Sequence, residues 1–583
     1  MTDELLITDL TCAMPADAWT DADANVSVPE FSTPPAGKWR ILDYRTDHYD
    51  GRAIVTSRPD AAVLRIPLER RGWHAVSLGI SERGWGMCGL DIRLTGDDYW
   101  QHLRAVDGSG DGPLHEEPWT FADLTGRDLE VRFPARTWGG YKDLAARLFS
   151  VRAIPVRPEH LAIVERTRTS ALQNVERTRT SALQNDHRRL VYFNDGIGIF
   201  CGDGGDALPG GIAEPADIVP QTLGGFAESD WDTCSFACGG ADLVNYPRSA
   251  GTPFVTGGWD FVYPVCEELQ YTLDALFAAG VDPMRQAIEA AHAQGHQLWM
   301  YQRPQAWTAD PQLGHYGHSR FYAAHQHCRC EEADGTQIWA LSIAYPEVRA
   351  QLNTILREAL DRGADGITEV LTRGFPLVRY EEPVRARFRE LHGLDMRDFP
   401  DSDPRLQAVW TEFVAAWFHE IRALLDAAGP SPKATRRALT VMTGSSRAWN
   451  LRWGFDVAAW AREGLVDAVI PFPKEVERTN AIRIEEFAED LRGSGVELIP
   501  CIGSNMDRFV SFATYRRRAH AYYQAGATGL SCWDTHDYLA RLRLDDPALQ
   551  ALWIDHYLGP QQIDVTSIGG VNIKNDFGPM LGF

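Results

Sequence analysis

DPMRQAIEAAHAQGHQLWMYQR, residues 282–303, reads as a helix that runs straight into a strand. Asp282 can cap the helix, Pro283 suits the first helical position, and Gly295 stops it. Met284, Ala287, Ile288 and Ala291 recur at the spacing of one buried face. HQLWMYQR (296–303) follows, short, apolar and rich in strand formers. The same alternation runs on both sides of it. Further strand runs are RLVYFND (189–195), DTCSFAC (232–238), ADGITEVLTR (364–373), RALTVMTG (437–444), DAVIPFP (467–473), VELIPCIG (496–503) and ATGLSCWD (527–534), eight in all. Helical patterns separate most of them. In PEVRAQLNTILREALDRG (346–363), Val348, Leu352, Ile355, Leu356 and Ala359 make one stripe. FDVAAWAREG (455–464), IRIEEFAEDLRGSG (482–495) and TYRRRAHAYYQAG (514–526) are the others. Eight strands with intervening helices over 186–560 predict a (β/α)8 TIM barrel. The extra length after the second, third and fourth strands falls in loops of the C-terminal face, where barrels build active sites.

Upstream, residues 38–157 change to short alternating runs broken by Gly, Pro and Asp, such as WHAVSLGI (73–80) and LDIRLTG (90–96). This predicts an antiparallel, jelly-roll-like β-sandwich. Trp39, Trp73, Trp85, Trp100, Trp119 and Trp138 lie here, suited to a sandwich core or to a sugar-binding surface. Residues 1–37, acidic and rich in Ala, Asp and Pro, read as an extended arm, and 561–583 as a tail. Between the two domains, VERTRTSALQN occupies 164–174 and recurs unchanged at 175–185. The polar 158–185 segment reads as a linker without chemistry, and eleven residues are close to three helical turns.

With 44% hydrophobic and 23% charged residues the chain has ample material for a core. A net charge of −23 argues against nucleic acid or an anionic membrane as the main partner. No basic leader and no long apolar run are present, so neither a secretory signal nor a membrane span is expected. The ten cysteines then read as mostly reduced, in a cytoplasmic protein. A homo-oligomer is compatible with the sequence.

Residues 186–560 resemble the bacterial glycoside-hydrolase-like barrel proteins, the family-10-like glycosylhydrolases. The resemblance rests on YFNDG (192–196), DPMRQAIEAAHAQGHQLWMYQRPQAW (282–307), HCRCEEADG (327–335), LSIAYPEVR (341–349) and RGFPLVRYEEPVRARFRELHGLD (373–395), in that order. The upstream sandwich is similar to modules attached to such barrels. The resemblance implies carbohydrate-active chemistry.

Glycosidic cleavage uses two carboxyl groups, one to protonate the leaving oxygen and one to attack or to activate water. Glu369 lies in the fourth strand, with Arg373 four residues on and on the same side of an extended chain. The arginine is expected to keep Glu369 ionised, as a nucleophile or base; a structural Glu–Arg pair is the alternative. Glu369 also departs from the family, in which this position is often apolar. Asp534 follows Trp533 at the end of the eighth strand, where the ring could stack on a sugar and partial desolvation would suit an acid. Asp534 or Asp537 could instead cap the next helix. Asp195, Arg303, Arg373, Trp533, Glu381, Glu382, His536 and Lys474 complete the expected substrate-binding set. Glu475 stands beside Lys474, and Asn505 and Asp507 follow the seventh strand. That strand lacks the terminal Glu that serves as nucleophile in the largest clan of barrel glycosidases.

The third loop holds His315, His318, His325, His327, Cys328 and Cys330 without zinc-finger spacing or an HExxH helix. They read as hydrogen-bonding residues of a polar loop, with no metal. The glycines of 202–206 do not form a dinucleotide motif, so no cofactor is expected. The resulting expectation is a glycosidase for a small glycoside or oligosaccharide. Its rivals are a sugar lyase or isomerase, metal-assisted through the third loop, and a non-catalytic carbohydrate-binding protein.

Overall fold

The computed structural model describes residues 4–21, 34–81, 88–105, 114–134, 146–166, 188–196, 200, 212, 214–223, 226, 229–241, 243–247, 252–253, 264–305, 307, 319–372, 375–473, 482–503, 511–533, 539, 541–559, 563, 565–568 and 571–572.

All eight strand runs form strands, and all belong to one curled parallel sheet. Its segments are β1 (Arg189–Asn194), β2 (Thr233–Ala237), β3 (Gln297–Gln302), β4 (Gly366–Val370), β5 (Ala438–Thr443), β6 (Ala468–Pro471), β7 (Glu497–Leu498), β8 (Cys501–Gly503) and β9 (Gly529–Trp533). The hydrogen-bonded order is β7-β6-β5-β4-β3-β2-β1-β9-β8. The seventh run is thus split between β7, which pairs with β6, and β8, which pairs with β9. Pro500 stands in the break, where a residue without an N–H interrupts the ladder. Both ends of the sheet therefore come from one short stretch of chain, and the architecture is TIM-barrel-like.

Side chains alternate between two layers. Val191, Phe193, Trp299, Tyr301, Val370, Met442, Ile470, Ile499 and Trp533 pack together on the inner face. Leu190, Leu298, Met300, Ile367, Val441 and Cys532 face the helices. At the N-terminal end, inward Arg189 donates to Glu497 at 2.9 Å and lies over Trp299, which closes the floor. Higher up, Thr368 bonds Thr440 (2.6 Å) and Ser235 (3.4 Å) across the interior. Outside the sheet, α1 (Pro283–Ala293) buries Met284, Ala287, Ile288 and Ala291, with Asp282 accepting from the Arg285 amide. The helix α2 (Pro346–Asp361) buries the stripe read from its sequence. Further round lie α3 (Glu382–His392), α4 (Pro404–Ala428) and α5 (Phe512–Gln524).

The N-terminal region forms antiparallel sheets. One joins Leu5–Ile7, Ser150–Pro155, Trp73–Ser81 and Leu114–Asp123; a second joins Leu64–Ile66, Leu129–Arg132, Cys88–Leu94 and Gln101–Ala105. Trp39 and Trp119 are core residues here, while Trp100 lies between the guanidinium groups of Arg93 and Arg132. Two stretches differ from the arm and tail that the sequence suggested. Leu5–Ile7 and Trp19–Asp21 pair with Ser150–Pro155 and Trp39–Thr46, and Val565–Ile568 also pairs with Trp39–Thr46. Their partners, not their own short sequences, make them strands.

The antiparallel region and the barrel-like region pack on each other through α5. A carboxyl oxygen of buried Glu117 accepts from the Phe512 amide at 2.6 Å. Buried Arg516 donates to the carbonyls of Pro118, Trp119 and Leu542 and to Gln550. Trp553 lies under that guanidinium and against Phe121. Among the described residues, no helix is long and apolar enough to cross a membrane, and the cysteines form no disulfides. Residues 167–187, most of the repeated segment, lie outside the described residues.

Candidate active site

The C-terminal ends of β1, β3 and β9 bring one charged cluster to the mouth of the sheet. Asp195 follows β1 and Arg303 follows β3. Strand periodicity puts each on the inner side, two residues after Phe193 and Tyr301. Arg303 and Asp195 form a close ion pair. The Tyr301 hydroxyl donates to Asp195 at 3.2 Å and accepts from Arg303 at 3.3 Å. The turn after β1 is fixed from below. Gly196 has φ +64°, its amide donates to Asn194, and Asn245 donates to the carbonyls of Gly196 and Ala237. Arg303 is nearly buried, whereas the Asp195 side chain keeps 30% of its exposure. The carboxylate is therefore the part of the cluster that a ligand can reach.

Beneath it is an aromatic floor. Trp533 stacks on Phe193 with centroids 5.5 Å apart and planes at 7°. Tyr301 and Phe472 pack on the same indole, and Arg303 covers it at 5.5 Å. Trp533 is only 1% exposed. The sequence placed it as a surface for sugar stacking; its ring is instead spent on supporting Arg303 and Phe193.

Glu369 takes a different position from the one expected. Thr368 and Val370 face inward, so Glu369 between them faces the helices, paired in register with Gln302 and Val441. It has no exposure, and among the described residues neither carboxyl oxygen has a hydrogen-bond partner. Burial raises its pKa well above the usual carboxylate range. The acid is held protonated, the opposite of the ionised group expected from the spacing to Arg373. Arg373 itself lies outside the described residues, as do Asp534, His536, Asp537, Lys474, Glu475, Asn505, Asp507, His315 and His318.

Glu381 and Glu382 also stand apart from the mouth cluster. Glu381 is fully buried at the N-terminus of α3, where it accepts from the amides of Arg379 and Glu331 and from the Ser342 hydroxyl. It ties the hairpin of Arg329–Glu331 and Gln337–Leu341 to α3. Glu382 is exposed and pairs with Arg385 within that helix. The structure thus brings together Asp195, Arg303 and Trp533 from the expected set, and adds Tyr301, Phe193 and Phe472. The first two additions were visible as residues two places before a charged strand end.

No family model matches the chain, and no curated protein matches it. Among solved structures it is similar to an alpha-galactosidase from Thermus thermophilus, at 13% identity over 91% of this chain and 99% of that one, with a TM-score of 0.32. A ruminal GH26 endo-beta-1,4-mannanase shares 9% identity over 96% and 97% of the two chains, with a TM-score of 0.29. Tryptophan synthase from M. tuberculosis shares 14% identity over 63% and 92%, with a TM-score of 0.27. Likeness at this level decides nothing about activity, which has to be argued from the chain's own residues.

Proposed function

We propose that the chain is a glycoside hydrolase built on an eight-stranded (β/α)8 barrel, in which β7 and β8 together serve as the seventh strand. Its substrate is a small glycoside or oligosaccharide. The observation that carries this reading is the partly exposed Asp195 carboxylate, clamped by Arg303 and Tyr301 at the C-terminal mouth over an aromatic floor. Such a carboxylate can attack an anomeric carbon or activate water, and a fixed guanidinium keeps it oriented. Asp534 is the proposed second carboxyl group, because it directly follows Trp533 in the sequence. Glu369, protonated and turned to the helices, is given no part in the chemistry. His536, Lys474 and Arg373 are proposed substrate contacts from their places in the sequence, each a few residues after a strand of the sheet.

A panel of aryl glycosides and short oligosaccharides supplies the test. Once a substrate is turned over, Asp195→Asn and Asp534→Asn should each lower kcat by about a hundredfold or more. Glu369→Gln should stay within a few-fold of the parent. Loss of turnover in Glu369→Gln with Asp195→Asn unaffected would return the chemistry to Glu369. Sugar binding without turnover across the panel would make the protein a carbohydrate binder instead.

A further inference from the structure

The third loop lies on the rim of the sheet, between β3 and α2. In it a short helical turn, Gln326–Cys328, stands against the first turn of α2. This brings three unlike ligand atoms together. His327 Nε2 is 3.5 Å from Glu347 Oε1. Cys328 Sγ is 3.4 Å from the same oxygen, and one ligand atom from each of the three residues lies within 4.8 Å of the other two. Zinc bonds of about 2.0–2.3 Å at tetrahedral angles place neighbouring ligands about 3.3–3.7 Å apart. Two of the three edges already have that length.

We propose that His327, Cys328 and Glu347 bind one zinc ion, with water from solvent as the fourth ligand. The donor set of one imidazole, one thiolate and one carboxylate suits a borderline-soft, tetrahedral ion and does not suit magnesium or calcium. Cys328 is fully buried and supplies the inner side of the site. The His327 and Glu347 side chains are 65% and 41% exposed, which leaves the outer side open for water. On binding, the Cys328 S–H bond breaks, its electron pair goes to the metal and its proton goes to solvent. The turn is held in place without the ion, since the Cys328 amide donates to the His325 carbonyl and the Cys328 carbonyl accepts from Ser342. The ion would clasp the loop to α2. This differs from the metal-free polar loop expected from the sequence, in which a metal at the third loop belonged only to a rival reading; the third ligand, Glu347, comes from the following helix.

The test uses the whole chain, stripped with chelator under reducing conditions and titrated with zinc against a competing chromophoric chelator. One equivalent should bind, and the melting temperature should rise by about 3 °C or more at saturating zinc. Cobalt(II) should give a thiolate charge-transfer band in the near ultraviolet that Cys328→Ser abolishes. His327→Asn and Glu347→Gln alter exposed side chains and should keep the fold, so they decide the matter even if Cys328→Ser does not fold. Each should weaken zinc binding about tenfold or more. Less than about a tenth of an equivalent, or equal binding by both variants, would overturn the proposal.

Discussion

The mouth cluster depends on the geometry of a single guanidinium. Arg303 meets Asp195, Tyr301 and Trp533 at once, and a lysine cannot make those contacts with one compact ammonium group. With a substrate in hand, Arg303→Lys should lower kcat about tenfold or more while leaving the fold intact by circular dichroism; an unchanged kcat would remove Arg303 from the positioning of Asp195. Glu369 carries a separate prediction. Its folded pKa lies well above the ordinary 4.5, so the folded state holds the proton more tightly than the unfolded one. That contribution to stability declines as pH rises above about 4.5. Glu369→Gln removes the decline, so the variant should resist urea better than the parent at pH 8 and no better at pH 4.5. A variant less stable than the parent at pH 8 would contradict this. The strand-end placement of Asp195, Arg303 and Trp533 was legible because strand ends are marked by punctuation in the sequence. Glu369 was misplaced because its face follows from counting Thr368 and Val370 as inward, and both faces of a parallel strand are apolar enough to hide that count.

At the scale of elements, α5 is the joint between the two regions. Glu117 receives its first free amide, and burial pushes the Glu117 carboxyl up to about 8. The sign is again that of an acid held protonated by the fold: stability falls with rising pH from about 4.5 to about 8. Thermal melts of Glu117→Gln should show a flatter pH profile across that window, and an unchanged slope would count against the assignment. Burial lowers the pKa of Arg516 to about 9, which leaves it charged at neutral pH. Arg516→Met strands three carbonyls and Gln550 in the interface, and should cost about 3 kcal/mol or more in denaturant unfolding. A loss below about 1 kcal/mol would mean that the interface relaxes around the gap. The parallel strands were readable to within three residues at each end because each is a bounded apolar run. The division at Pro500 was not, although the proline was in plain view, since an eight-residue run looks continuous until its two neighbours are known. The pairings of Leu5–Ile7 and Trp19–Asp21 were hidden for the same reason: three residues carry too little alternation to be read alone.

For the whole molecule, the repeated eleven residues offer a clean experiment. Because the copies are identical, removing 164–174 or 175–185 yields the same chain. One copy suffices to keep Val164 in the cluster around Phe121 and Trp553, and Arg166 paired with Asp546. The shortened protein should melt within about 2 °C of the parent; a larger drop would show that the second copy packs into the fold. The C-terminal strand has a longer reach. Val565–Ile568 pairs with residues 44–46 of Trp39–Thr46 across nearly the entire sequence. At a synthesis rate of about 5–20 residues per second, the ribosome needs roughly half a minute to two minutes to deliver that partner after its strand has emerged. Throughout that interval the growing chain presents an unpaired β-edge, the kind of surface that recruits neighbouring strands. The protein should therefore be most vulnerable to aggregation while it is still being made, and helped most by chaperones that act on nascent chains.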